Sequence, residues 1–377
     1  MAARAVKTNP LSPDVEQLLS AISEARERTL ELVAHLSEAE LEAVHSPIMS
    51  PLVWDLGHIA AYEDLWLAHR RGGLELLRAD LAGLYDAFET PRAVRGEIEA
   101  LDPEQARAYM AEVRERTVAT LAREGLGDGV VVCEMVLRHE LQHTETMRQT
   151  MAIAGLLPAG EPPLQPARTP EGWLEVPSGP FEMGARPEAF SFDNERPRHT
   201  ATTGAFAIAR RPVSNGSWMS FSEGGGYERR EWWSDEGWAW KQEYDITHHP
   251  DVAAGHPQAP ACHVSWFEAD AFARAHAARL PTEAEWEKAA TWTQDASGGL
   301  AAVGQVWEWT ASHFGGYPGF AAHPYREYSE VFFGESYRVL RGASWATHPR
   351  VASITFRNWD LPQRRQIFAG VRIARGL

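Results

Sequence analysis

Apolar positions in the first 155 residues recur at helical spacing, and beyond about residue 170 they do not. From Asp14 to Leu36 the pattern runs Val15, Leu18, Leu19, Ile22, then Leu30, Leu32, Val33 and Leu36. That i, i+3, i+4 recurrence predicts an amphipathic helix, and Ser12-Pro13 ahead of it supplies an N-cap and a first-turn proline. A second helix is predicted from near Pro51 to Arg70, with Leu52, Leu56, Ile59 and Leu65 facing inward. A third covers Pro103 to Glu124, opened by Asp102-Pro103-Glu104, and a fourth runs from Gly129 to Ala154. Four such helices predict a four-helix bundle over residues 13–155, an architecture that builds metal sites from inward side chains.

Five prolines between Gly155 and Pro170 rule out helix there, and residues 156–172 read as a linker. From Trp173 onward short β-like runs, glycines and tryptophans dominate. Helices are predicted over Ser265 to Ala278 and Thr282 to Ala290. Residues 173–377 therefore read as a loop-rich α+β domain, and the chain as an α + (α+β) protein of two domains, which its 377 residues suit. Residues 1 to about 12 are expected to be loose.

Composition narrows the function classes. A net charge of −16 lacks the basic stripe that nucleic acid requires. Of the two cysteines, Cys133 falls in a bundle helix and Cys262 in the second domain, so no disulfide framework is expected. No apolar run approaches the roughly 18 residues of a membrane span, and no apolar segment follows Met1-Ala2-Ala3-Arg4. The expectation is a cytoplasmic protein with no membrane partner.

The chemistry concentrates on histidines. His139 and His143 in Arg138-His139-Glu140-Leu141-Gln142-His143 are four residues apart, one turn on one helix face. Val131, Val132, Met135 and Val136 make the preceding turns apolar, so this helix is expected to be buried, and buried histidines need partners or a metal. His58, in Trp54-Asp55-Leu56-Gly57-His58, gains weight as the third of a set. Iron and zinc both suit three imidazoles. His139-Glu140-Leu141-Gln142-His143 also fits the H-E-x-x-H pattern of zinc proteases, with Glu140 as the base.

Five stretches carry a family resemblance: Ser46 to Ile59; Leu84-Tyr85-Asp86-Ala87-Phe88 with Pro91-Arg92 and Arg95; the histidine helix through Met147; Gly304-Gln305-Val306-Trp307-Glu308-Trp309-Thr310 with Tyr317-Pro318-Gly319-Phe320; and Arg338 to Trp345 with Phe356-Arg357-Asn358-Trp359-Asp360. Together they resemble the sulfoxide synthases of ergothioneine biosynthesis, over about residues 15 to 375. Glu175 to Gly184 and Arg279 to Glu287 resemble the formylglycine-generating, sulfatase-modifying fold, a C-type-lectin variant. The resemblance implies a DinB-like bundle followed by that lectin-like domain. It also implies Fe(2+) held by His58, His139 and His143, and O2-dependent joining of a thiol to hercynine, the trimethylated betaine of histidine. The implied sulfur donor is γ-glutamylcysteine or cysteine.

Site roles follow from the same resemblance. Gln142 would orient the imidazole of hercynine, and Tyr325, three residues before Tyr328, would be the catalytic tyrosine. Arg92, Arg95 and Arg364 would bind the carboxylates of the donor, since guanidinium forks suit carboxylates. Asp360 would pair the donor's ammonium, and Asn358 and Trp359 would meet hercynine, whose quaternary ammonium an indole attracts. Departures are a short segment between Ala290 and Gly304 and Thr144 where an acidic residue is common. Alternative readings are a selenoneine synthase using a selenosugar, a zinc-dependent hydrolase, or a binding module without catalysis. A formylglycine-generating activity is disfavoured because the second domain has one cysteine.

Overall fold

The computed structural model describes residues 13–166, 171–188, 190–249, 255–292 and 299–377, which fall into two compact units divided between Pro158 and Ala159. The expectation for residues 1–12, and part of those for the linker and for the short 291–303 segment, lie outside the described residues.

The first unit is built from α1 (Pro13–Val33), α2 (Glu38–Glu42), α3 (Leu52–Glu63), α4 (Pro103–Glu124) and α5 (Val130–Ala154). Four of these match the predicted helices. The second predicted helix is α3 continued by a π-helical segment, Asp64–Arg71, which apolar periodicity does not distinguish. The short α2 was not predicted, although Ser37 and Glu40 form a reciprocal capping box there. Asp102 caps α4 with Gln105 in the same way, ahead of Pro103 in the first turn. Gly155 ends α5 in the left-handed region at φ 70°, a conformation that costs glycine little.

Leu52, Leu56, Ile59 and Ala60 of α3, Tyr109, Met110 and Val113 of α4, and Met147 and Met151 of α5 form one buried core. A second interior feature is ionic. Arg26 of α1 donates to Glu140 of α5 (Nε–Oε1 2.8 Å) and to Glu63 of α3 (Nη2–Oε2 2.8 Å). Arg114 of α4 grips Glu63 through two bonds of 2.8 and 2.9 Å, and Thr29 donates to Glu140 at 3.0 Å. All four long helices thus meet at one set of paired charges. Glu140 and Glu63 are almost fully buried. Burial alone would raise the Glu63 carboxyl, but Arg26 and Arg114 outweigh it and hold it below its ordinary value.

In the second unit β1 (Trp173–Val176), β2 (Gly179–Met183), β3 (His199–Thr203) and β4 (Phe206–Ala209) precede α6 (Asn215–Glu223), α7 (Asp235–Glu243), α8 (Trp266–Ala275) and α9 (Glu283–Thr291). The strands β5 (Trp307–His313), β6 (Arg338–Arg341), β7 (Asn358–Asp360), β8 (Ala369–Gly370) and β9 (Ala374–Gly376) follow. Their sheets are ordered β1-β4-β9, β2-β3 and β7-β6-β5-β8. Leu174 and Val176 of β1 flank the outward Glu175, β4 is buried from Phe206 to Ile208, and Leu174, Val176, Phe206 and Ile208 pack under Trp286 and Ala289 of α9. Trp286 Nε1 donates to Glu308 Oε2 at 2.5 Å, and Arg372 grips the same carboxylate at 2.7 and 2.6 Å, tying α9 to β5. The helices α8 and α9 were predicted; α6 and α7 are additions.

Candidate metal centre

Asp55, His58 and Tyr62 are spaced i, i+3, i+7 on α3 and face His139 and His143 on α5. Asp55 meets His143 and Tyr62 meets His139, so the two helices run antiparallel along this seam. One ring nitrogen from each of His58, His139 and His143 lies within 4.8 Å of the others, and this is the one such group of metal-capable side chains among the described residues. The Nε2 atoms of His58 and His139 are 3.1 Å apart. Two nitrogens bound at about 2.1 Å to one ion, at right angles, would stand about 3.0 Å apart.

Each ring is fixed by different neighbours. His58 is buried, stacks on Trp54 (4.8 Å, 13°) and donates from Nδ1 to the Tyr85 carbonyl at 2.6 Å. His143 points Nδ1 at Asp55 Oδ1, 3.1 Å away. His139 stacks on Tyr62 at 3.7 Å and 12°. Donating from Nδ1 leaves Nε2 as the lone-pair nitrogen, so the tautomer of His58 is set by the backbone. Burial, followed by the charge of His143, holds the His58 and His139 imidazoles well below their usual range. Two of the three are therefore neutral at neutral pH, the form a metal requires. The donor set, the closeness of the Nε2 atoms and this neutrality fit a divalent transition-metal ion.

Glu140 does not fit the zinc-protease pattern. Its carboxylate turns away from the histidines and is fully engaged by Arg26, Thr29 and Arg114. A base that must receive a proton from metal-bound water cannot sit in that buried ionic set. Cys262 is a buried thiol outside any disulfide, and the other cysteine, Cys133, lies in the first unit, so the second holds no cysteine pair.

The other expected residues divide between the two units. In the first, Arg95 is buried with its guanidinium 3.6 Å above the Trp54 ring, which in turn lies on His58. Its Nε, Nη1 and Nη2 donate to Thr90 O, Ser50 Oγ and Ala87 O at 2.9, 2.8 and 3.2 Å. Burial lowers its pKa to about 10, with Asp55 opposing. Arg92 is exposed nearby in the same loop, and Gln142 is half-buried on α5 between the two histidines.

In the second unit, Tyr325 meets Tyr328 edge-on at 6.3 Å, and Tyr328 meets Trp359 edge-on at 6.0 Å. Tyr328 is also stacked flat on Phe192 at 4.6 Å. Trp359, on β7, stacks on Phe314 at 4.2 Å. Asn358 Oδ1 accepts from the Trp359 amide, and Asp360 and Arg364 stand 3.8 Å apart. The structure thus gathers Tyr325, Asn358, Trp359, Asp360 and Arg364 in one region of this unit. Asp55, Tyr62 and the Tyr85 carbonyl went unpredicted, yet Asp55 carries a readable signal: it stands three residues before His58, on the same helix face.

Residues 21–147 match the DinB superfamily, and residues 158–301 and 291–377 match the Sulfatase-modifying factor enzyme 1-like domain. Hercynine oxygenase of Mycobacterium tuberculosis is 41% identical over 424 aligned positions, covering 95% of this chain and 98% of that protein. Hercynine oxygenase of Mycolicibacterium thermoresistibile is 40% identical over 96% of this chain and 95% of its own length. Formylglycine-generating enzyme of Streptomyces coelicolor is 32% identical over 42% of this chain. An alignment of 424 positions exceeds the 377 residues of the chain, so it includes segments the chain lacks. The two sulfatase-modifying matches overlap at residues 291–301. No described helix is long and apolar enough to cross a membrane.

Proposed function

The chain belongs to the hercynine oxygenase family, and from that premise we propose that it is an iron(II)- and O2-dependent sulfoxide synthase. It joins the thiol of γ-glutamylcysteine, or of cysteine, to the imidazole of hercynine. The balance closes without an outside reductant: the imidazole C–H and the S–H are lost, a C–S bond forms, one oxygen atom enters the sulfoxide and the other leaves as water. The observation that carries the reading is the convergence of His58, His139 and His143 in a chain of this family.

Ferrous iron held by these three rings would supply the redox chemistry that couples oxygen to the new C–S bond. Imidazole donors would bring no negative charge to the ion, so its positive charge would be left to attract the thiol donor as a thiolate. Arg92 and Arg95 take the carboxylates of the thiol donor. Arg95 is already oriented by its bonds to Thr90, Ser50 and Ala87, and two of its five N–H groups are left for a carboxylate. Gln142 orients the hercynine ring, Trp359 offers an indole face to the trimethylammonium group, and Asn358 holds the betaine. Asp360 and Arg364 receive the ammonium and a carboxylate of the donor. The Tyr325 phenol delivers a proton where negative charge develops on oxygen.

The test is oxygen uptake by the Fe(II)-loaded protein with hercynine and γ-glutamylcysteine, cysteine or a selenosugar in turn, with products read by mass spectrometry. The expected product is a hercynine–cysteine-type sulfoxide formed with one equivalent of O2. No oxygen uptake with any thiol, or activity restored by zinc alone, overturns the proposal.

A further inference from the structure

We propose that Asp55 is a positioning residue of the metal centre: its carboxylate fixes the His143 ring and supplies the negative charge that the bound dication requires. The inference rests on the metal reading above. Asp55 is 1% exposed, in the first turn of α3. A carboxylate there normally caps the helix or reaches water. Asp55 does neither. Its Oδ1 meets His143 Nδ1 at 3.1 Å, and its Oδ2 is buried without a hydrogen-bond partner. A buried carboxylate with one oxygen unpaired is expensive unless positive charge stands near, and two sources lie beside Asp55: the Arg95 guanidinium, whose charged form it favours, and the ion that the histidine cluster would hold.

The location explains why the cost is tolerated. Asp55 lies one helical turn before His58 and opposite His143, so it touches one ring of the cluster and shares a helix face with another. With His143 Nδ1 donating to Oδ1, its Nε2 lone pair is the one left to bind an ion. A carboxylate behind a histidine ligand fixes the tautomer and ring angle, makes the ring a stronger donor, and typically contributes ten- to a hundredfold in metal affinity. The other rings are held by groups that bring no charge: a backbone carbonyl and Trp54 for His58, and Tyr62 for His139. Among the described residues, Asp55 is the carboxylate hydrogen-bonded to a ring of the cluster.

Two variants of the full chain separate geometry from charge. Asp55→Asn keeps an acceptor for His143 Nδ1–H and removes the charge; Asp55→Ala removes both. Co(II) alone is titrated against a competing chelator, and its visible spectrum reports coordination. The expected result is about tenfold weaker binding in Asp55→Asn and about a hundredfold in Asp55→Ala, the latter with an altered spectrum. Wild-type affinity and spectrum in both variants overturn this inference while leaving the metal reading intact. Failure of the wild-type chain to bind Co(II), or equal binding by His58→Ala, overturns the metal reading itself. If a variant does not fold, the wild-type chain loaded with Zn(II) decides by ¹⁵N-imidazole NMR. A proton retained on His143 Nδ1 supports the proposal, and coordination through Nδ1 overturns it.

Discussion

Gly57 shows how closely the ligand His58 is seated. A Cβ built there would stand 2.1 Å from Tyr85 Cζ. Tyr85 is buried, its hydroxyl accepts from the Leu101 amide at 3.1 Å, and its carbonyl holds His58. The phenol therefore cannot move aside without loosening the strand of contacts that fixes the imidazole. Gly57→Ala is expected to cost about 1–3 kcal/mol through overpacking. It should also weaken metal retention, read by thermal melting and by iron content after desalting. A variant with wild-type melting and full iron content would show that the contact is yielding. At the ligands, replacing His58, His139 or His143 by Ala should remove most bound iron; full retention in all three would remove the site. The pairing of His139 with His143 was legible because i, i+4 spacing is a property of any helix. The Tyr85 carbonyl was not, because a backbone oxygen carries no residue signature.

At the scale of elements, the four long helices of the first unit were readable for two physical reasons: apolar residues repeat with the helical period, and Asp102-Pro103 marks a start. The helices α6 and α7 escaped that reading. Each has nine residues, and their buried positions are few: Asn215, Trp218 and Phe221 in α6, Gly237 and Trp240 in α7. So short a stripe does not stand out in a segment crowded with tryptophan, although Ser214 and Ser234 do cap the two starts. The ionic set joining α1, α3, α4 and α5 was equally hidden, since its members are far apart in sequence. Its energetics can be tested. Arg26→Met leaves Glu140 and Glu63 short of a partner and is expected to cost about 3–5 kcal/mol in urea unfolding. Adding Glu140→Leu removes one charge of each sign and leaves the two-bond Arg114–Glu63 pair, so the double variant should recover much of that loss. Equal destabilisation by single and double variants would refute this account. The pH dependence follows from Glu63. Its folded pKa is held below 4.5, so its contribution is fully present above that value and is lost as pH falls through the lower folded pKa. Stability of the bundle should therefore drop below about pH 4.5, and Glu63→Gln should flatten that part of the profile.

For the whole molecule, the proposed roles are unevenly shared. The three ligands, the two residues that stack on them and Asp55 all belong to the first unit. Tyr325, Asn358, Trp359, Asp360 and Arg364 belong to the second. The overall division into a bundle and a lectin-like domain was legible because apolar periodicity stops where prolines cluster. The assignment of substrate roles in the second unit drew on family likeness, since Trp359 and Tyr328 pack in an aromatic group that looks, by composition, like ordinary core. This asymmetry makes a prediction about dynamics. An ion that binds the folded chain and not the unfolded one stabilises what it touches. Metal should therefore slow amide hydrogen exchange in α3, in α5 and in the 85–95 loop whose carbonyl and guanidinium steady His58. The core helices α8 and α9 of the second unit should exchange at unchanged rates. Hydrogen-exchange mass spectrometry with and without Zn(II), which substitutes for iron without redox chemistry, reads this directly. Tyr325→Phe and Trp359→Ala should leave that protection pattern untouched while lowering sulfoxide yield. If either substitution abolished the metal-dependent protection of α3 and α5, the second unit would be contributing to ion binding, and the confinement of the ligand set to the bundle would be wrong.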